Sequence, residues 1–94
     1  MGNAAGSGTV QHVSDRFALV VARAVRAERA RAGLSQTELG ERIGTSRAWI
    51  AAVEAGTRTL PVAVLPELCR ELGVPLRLLF DRADAEDLDW LGLR

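Results

Sequence analysis

Hydrophobic residues recur with helical spacing along most of the chain, and short breaks that contain glycine separate the runs. Between residues 14 and 32 the apolar positions repeat at intervals of three, four or seven. The positions that carry this stripe are Phe17, Val21, Val25 and Ala32. Ser14 suits an N-cap and Gly33 a left-handed C-cap, so the pattern predicts a first helix that ends at about Ala32.

The next stretch predicts two short helices. Ser35 and Glu38 form an S-x-x-E capping box that starts a helix from Gln36 to about Ile43. Thr45 and Ser46 offer an N-cap for a third helix over residues 46 to 55, which carries an apolar repeat at Ile50 and Val53. A turn of three or four residues at a glycine joins them, which is the spacing of a helix-turn-helix.

Gly40 lies in the middle of the second helix, where glycine costs about 1 kcal/mol relative to alanine. A close crossing by the third helix would explain why a small residue occupies this position.

Beyond Pro61, a further apolar stripe predicts a fourth helix, which Gly73 closes. Its members are Leu65, Leu68, Cys69 and Leu72, so Cys69 is interpreted as a small buried hydrophobic residue rather than a redox thiol. Residues 74 to 80 fit a helix with Pro75 at its first position, or a strand in which alternate residues are apolar; we favour the helix. The predicted fold class is therefore all-α, a small bundle of four to five helices.

The two ends differ from this middle domain of residues 14 to 80. Residues 1 to 13 are small, glycine-rich and poor in large apolar side chains, and are interpreted as a flexible arm. Residues 81 to 94 form an acidic tail whose apolar residues gather at its end. The tail could pack back on the domain, complete a dimer, or bind another protein.

Composition narrows the function classes. The chain of 94 residues has a formal net charge of zero, but residues 16 to 62 hold eight arginines against four acidic residues. This asymmetry is compatible with one face that meets a polyanion. With one cysteine, no apolar run long enough to span a membrane and no signal peptide, we expect a cytoplasmic protein of one domain, and a chain this short is often completed as a dimer.

Catalytic chemistry has little support. The single histidine, His12, and the single cysteine, Cys69, are far apart in sequence, and no glycine-rich phosphate loop is present. We therefore expect no enzyme activity, no cofactor and no metal.

The run from the second to the third helix resembles the helix-turn-helix of the Xre/Cro and phage-repressor family. The residues that carry the resemblance are Gln36, Leu39, Gly40, Gly44, Ser46, Ile50, Val53, Glu54 and Gly56. With its flanks the resemblance covers residues 17 to 80, and it implies a bundle of four or five helices with the third helix in the major groove of DNA. Thr45 and Gly40 depart from the family's usual valine and alanine.

The resemblance also implies roles for individual residues. Gln36 and Ser46 would hold DNA phosphates, and Arg29 would form a structural ion pair with Glu54. The segment 74 to 80 would be the dimer interface, because the family often uses its fifth helix, or in some antitoxin relatives a strand, for this purpose.

A helical wheel of the third helix turns its alanines outward, at positions 48, 51, 52 and 55. Ala48 and Ala52 can touch a thymine methyl but cannot hydrogen-bond to base edges, so base readout would depend on Arg47, which can pair with guanine O6 and N7. Arg47 could instead be a solvated charge. Trp49 could pack at the edge of the core or lie over a deoxyribose, and Arg58 could meet the DNA backbone or remain a free surface arginine.

Two functions follow from these residues. The first is a sequence-specific DNA-binding transcriptional regulator that binds double-stranded DNA as a homodimer. We expect such a regulator to act as a repressor. The alternative is a protein-interaction module, such as the antitoxin of a toxin-antitoxin pair, whose C-terminal tail binds a partner protein.

Overall fold

The computed structural model describes residues 2–81 and residue 89, with side chains from Asp15 onward. Over this range every regular element is a helix and there is no strand, as the all-α prediction requires. The α-helices are α1 (Gly2–Arg31), α2 (Gln36–Arg42), α3 (Arg47–Glu54) and α4 (Leu65–Leu72), and the 3₁₀ helices are η1 (Val62–Val64) and η2 (Leu76–Phe80). The tail predicted for residues 81 to 94 lies outside the described residues apart from Asp81 and Asp89.

The first helix begins at Gly2 and not at Ser14, so the prediction of its start was wrong. The physical reason is the difference between starting and extending a helix. Nucleation is costly, but each added residue gains a hydrogen bond for one more pair of fixed dihedral angles. Once tertiary packing holds the C-terminal half of α1, a segment without proline can continue the helix toward the N-terminus. The predicted boundary between the N-terminal arm and the domain, at residue 13, therefore lies inside α1, which is continuous there.

Within the segment of residues 74 to 80, Leu76–Phe80 form η2, which is the helical alternative in its tighter 3₁₀ form. The amide of Leu78 donates to the carbonyl of Pro75 at 3.0 Å, and the amide of Asp81 donates to the carbonyl of Leu78. These are the i to i+3 bonds of a 3₁₀ helix. The strand alternative does not occur here.

A core between α1 and the shorter helices holds the domain together. Its buried residues come from every α-helix and from the loops before α2 and η1, and they are Val21, Val25, Leu34, Leu39, Ile50, Val53, Leu60, Leu68 and Leu72. A second buried cluster of Ala24, Cys69 and Leu79 attaches η2 to α1 and α4. The rings of Phe17 and Phe80 extend this contact at a centroid distance of 5.7 Å. Burial raises the pKa of the Cys69 thiol, which agrees with a packing role.

Candidate nucleic-acid interface

The capping box at the start of α2 is present in both directions. The amide of Glu38 donates to Ser35 Oγ at 2.9 Å, and the amide of Ser35 donates to Glu38 Oε1 at 2.8 Å. The bond from the Ser35 amide lowers the pKa of the Glu38 carboxyl, because it stabilises the charged form. These bonds fix the direction in which α2 leaves the preceding loop.

The crossing of α2 and α3 explains the glycine in the middle of α2. A Cβ atom built on Gly40 would lie 2.8 Å from the carbonyl carbon and 2.9 Å from the carbonyl oxygen of Ser46. Both neighbours are backbone atoms at the start of α3, which cannot move aside as a side-chain end could. Gly40 therefore lets the two helices approach closely, as the sequence suggested.

Gly44 makes the turn itself. Its φ of +75° lies in the left-handed region, which glycine adopts without the Cβ penalty. The amide of Thr45 then donates to the carbonyl of Gly40 at 2.7 Å, and its hydroxyl donates to the same oxygen at 3.3 Å. The end of α2 is thus tied to the beginning of α3 through two bonds to one carbonyl.

Arg29 of α1 and Glu54 of α3 form a bidentate ion pair. Arg29 Nε donates to Glu54 Oε2 at 2.6 Å, and Nη2 donates to Oε1 at 3.0 Å. The Glu54 side chain is only 2% exposed and that of Arg29 is 17% exposed. The hydrogen bond to Glu54 raises the pKa of Arg29. Arg29 Nη1 also donates to the carbonyl of Leu34, so one guanidinium joins α1, the loop before α2, and α3.

Gln36 forms a hydrogen bond to the carboxylate of this ion pair. Its Nε2 donates to Glu54 Oε1 at 3.1 Å, and its Oε1 accepts from Arg47 Nη1 at 3.5 Å. A carboxylate only accepts and a guanidinium only donates, so these two neighbours determine which way the amide faces. The predicted phosphate-binding residue is thus held by Glu54 and keeps one N–H of its amide for another acceptor.

Ser46 caps α3 by accepting a hydrogen bond from the amide of Trp49 at 3.1 Å. The side chain is exposed, and its hydroxyl proton remains available, since the hydroxyl here acts as acceptor. Arg47 and Ala48 follow as exposed residues in the first turn of α3. This end of α3 combines a hydroxyl donor, a guanidinium and the positive end of a helix, a combination that suits anionic oxygen.

Trp49 and Arg58 form a pair at the other flank of α3. Trp49 is half-buried and packs against the main core. The Arg58 guanidinium carbon lies 5.7 Å from the centre of the Trp49 ring, within the range of a cation-π contact. The core-packing alternative for Trp49 is the one observed, and Arg58 is exposed but oriented by the indole.

The loop that carries Arg58 is fastened to the end of α3, a feature that the sequence analysis missed. Thr57 Oγ1 donates to the carbonyl of Ala52 at 3.1 Å, and the amides of Thr57 and Arg58 donate to the same oxygen at 3.0 and 3.2 Å. The sequence signal for this loop is Thr57, which directly follows Gly56 just after the end of α3. The bonds bring Arg58 back beside α3.

The outward face of α3 is smaller than the helical wheel suggested. Ala48 and Ala55 are exposed as predicted, but Ala51 and Ala52 are half-buried. Neighbouring elements cover the flanks of such a short helix, which a wheel of an isolated helix cannot show. The accessible strip therefore consists of Arg47 and Ala48, flanked by Ser46 and, at its other side, by Trp49 with Arg58.

The described part of the chain holds neither a cluster of metal-binding side chains nor a membrane-spanning helix. Among these residues, no three histidine, cysteine or acidic side chains gather where they could hold a metal ion. No helix in the same range is both long and apolar enough to cross a membrane.

Comparison with known proteins gives one family. Residues 20–83 match the model of a helix-turn-helix domain. The match covers α2, the turn and α3 together with most of the helices packed around them. No curated protein and no solved structure matches the chain.

Proposed function

The chain belongs to the helix-turn-helix domain family, and from this membership and the geometry of α3 we propose that it is a sequence-specific DNA-binding transcriptional regulator of the Xre/Cro type that acts as a repressor. The observation that carries the proposal is the exposed first turn of α3. Arg47 and Ala48 lie there side by side on a helix whose position is fixed by the Arg29–Glu54 ion pair and by the Gly40 crossing. A rigid helix with an exposed arginine at its N-terminal end suits the major groove.

Base readout in this proposal rests on the first turn of α3. Arg47 donates two hydrogen bonds to guanine O6 and N7, a contact worth ~1–3 kcal/mol of discrimination. Ala48 and the exposed part of Ala52 contact thymine methyl groups. Among the described residues, the one contact that restrains the Arg47 guanidinium is at 3.5 Å from Gln36, so the group is free to extend into the groove.

Phosphate contacts come from both sides of α3. Gln36 offers its remaining amide N–H, Ser46 its hydroxyl, and Arg58 a guanidinium that lies over the Trp49 ring. Such contacts set the register of the protein on the duplex and carry no sequence information. All three side chains are fixed by neighbours in the folded domain, so they require little ordering on binding.

We infer that the protein binds as a symmetric dimer. One accessible strip with a single arginine reads few base pairs, whereas two copies on a pseudo-palindrome combine two readouts into one specific site. The segment of residues 74–80 is the interface that we propose, because Leu76 is 48% exposed there. A dimer that occupies a promoter blocks transcription, which is the repressor function.

The test is selection of binding sites from random duplex DNA, followed by fluorescence anisotropy with the selected site and a scrambled one over a salt series. We expect a preference of ~10³ or more for the selected site. Arg47→Ala should weaken binding by about 1–3 kcal/mol and relax the preference at one guanine. Arg58→Ala should weaken both duplexes equally and reduce the salt slope by about one.

The matched control is Arg70→Ala, which removes an exposed arginine of α4 whose side chain is 70% exposed. It should leave affinity and salt slope nearly unchanged. If no site is enriched, or Arg47→Ala changes binding no more than Arg70→Ala does, α3 does not read bases. The protein-interaction alternative, in which the C-terminal tail binds a partner such as a toxin, would then be the next hypothesis.

A further inference from the structure

An apolar groove of about 400 Å³ lies between α4 and η2, away from the helix-turn-helix. Its lining consists largely of Val62, Leu65, Pro66, Cys69, Val74 and Leu76. Val62 is 81% exposed and Leu76 is 48% exposed, although both have large apolar side chains. A contiguous apolar surface of this kind is typical of a docking site.

The sequence offers an occupant for this groove directly after η2. The tail of residues 82–94 follows Asp81, which itself follows the 3₁₀ helix that forms one wall. Its large apolar residues are concentrated near the end, at Leu88, Trp90, Leu91 and Leu93. Without a surface to cover them, these side chains would remain in water at a cost proportional to their apolar area.

The length of the tail is sufficient. Residues 82 to 87 form a linker of six residues, and from Asp81 to Leu88 the chain can span up to ~23 Å at ~3.3 Å per residue. The two shorter dimensions of the molecule are 25 and 20 Å, and the linker starts after η2, whose first residue, Leu76, lines the groove. A short tether also gives an effective concentration on the order of millimolar, which favours a segment of the same chain over a second copy that makes similar contacts at micromolar concentration.

Charge favours the same occupant. Two exposed arginines are next in sequence to residues that line the groove: Arg70 follows Cys69, and Arg77 follows Leu76. Arg70 pairs with Glu67, at 3.2 Å, but its side chain remains largely exposed. The linker that precedes the apolar end of the tail carries three acidic residues, Asp84, Glu86 and Asp87. An acidic linker is attracted to these arginines, whereas DNA would repel the same linker.

We propose that the tail of this chain folds back and places its apolar end, residues 88–93, in the groove between α4 and η2 of the same molecule. There it covers Leu76 and Val62 and shields the Cys69 thiol at the base of the groove. One consequence rests on the proposed function: because the docked tail covers part of the segment 74–80, it competes with a second copy for that surface.

Cys69 provides the test, because it is the only cysteine of the chain and lines the groove. We would measure the rate at which Ellman's reagent modifies the full chain and a version that ends at Asp81. Reactivity of a thiol depends on its access to solvent, so truncation should raise the rate by about tenfold or more. The protection in the full chain should not depend on protein concentration.

Two point variants keep the test decisive if the truncated chain is poorly folded. Val62→Asp places a charge on the rim of the groove at a residue that is already 81% exposed, and it should also raise the rate. Leu19→Asp adds the same charge at an exposed leucine of α1, which does not line the groove, and should leave the rate unchanged. Circular dichroism melts of each variant verify the fold.

Three results would overturn the proposal. Equal rates for the full chain, the truncated chain and Val62→Asp would show that the tail does not cover the groove. Protection that disappears on dilution would assign the groove to a second copy of the chain, and protection only in the presence of a small molecule would assign it to a ligand. None of these measurements involves DNA, so they are independent of whether the DNA-binding proposal holds.

Discussion

Glu54 is almost excluded from water and accepts hydrogen bonds from Arg29 and Gln36. A buried carboxylate in such a position depends on its partners. Arg29→Ala should therefore reduce the free energy of unfolding by ~3–5 kcal/mol, since it leaves an uncompensated charge in the interior. Urea denaturation would measure this loss.

The matched control is the double variant Arg29→Met with Glu54→Leu, which replaces the pair by apolar side chains. It should recover most of the stability, because no charge remains buried. If Arg29→Ala costs less than about 1 kcal/mol, the pair behaves as a surface salt bridge and does not fix α3.

A second prediction at the scale of single residues concerns Glu38, which makes the free energy of unfolding depend on pH. The folded-state pKa of this carboxyl is lowered, so its contribution is present above the unfolded-state pKa and is lost as the pH falls through the folded-state pKa. Glu38→Gln can still complete the capping box but cannot titrate. The stability advantage of the native chain over Glu38→Gln should therefore shrink across this acidic window. Urea denaturation of both proteins over a pH series measures this difference in the free energy of unfolding. A difference that stays constant with pH would contradict the lowered pKa of Glu38.

At the scale of elements, the crossing of α2 and α3 gives a prediction that opposes helix propensity. Gly40→Ala should gain about 1 kcal/mol of propensity, but its Cβ would meet the Ser46 backbone at 2.8 Å. Overpacking of this kind costs ~1–3 kcal/mol, so we expect a net loss and a displaced α3. Thr37→Ala, at an exposed position of the same helix, is the control and should stabilise slightly. Thermal melts that rise for both variants would exclude the close approach.

The same helices show why part of the structure was predictable and part was not. The capping box at Ser35 and the turn at Gly44 were predictable because their hydrogen bonds and dihedral angles involve residues a few positions apart. The contact of Gln36 with Glu54 joins residues 18 positions apart and has no local signal. The start of α1 at Gly2 was missed because composition describes the cost of an isolated segment and not that of extending a packed helix.

At the scale of the whole molecule, the proposed interface was also predictable only in part. The residue types of the proposed interface were evident from the sequence, but their restraint was not: Trp49 packs on the core, and Arg58 is held over its ring by a loop bonded to Ala52. These contacts depend on the arrangement of α3 against its neighbours. The sequence thus predicts which groups could meet DNA, and the fold determines which of them are fixed beforehand.

The proposed dimer makes a geometric prediction about its DNA. Two copies of α3 related by a twofold axis would enter successive major grooves on one face of the duplex, about 34–36 Å apart. Inserting about five base pairs between the half-sites rotates one of them by half a helical turn to the opposite face. Affinity should then fall to that of a duplex with a single half-site, which anisotropy titrations of the three duplexes would measure.

An insertion of a full turn, about ten base pairs, is the control, and it distinguishes rotation from distance. If the half-turn insertion binds as tightly as the original site, the two recognition helices are not held in a fixed relation. Each chain would then bind its half-site alone, and Arg47 with its few neighbours would have to supply the whole specificity. One arginine–guanine contact provides ~1–3 kcal/mol, whereas specific sites are typically preferred by ~4–10 kcal/mol. If α3 reads bases as proposed, its small accessible surface would need the fixed dimer to reach a specificity of this size.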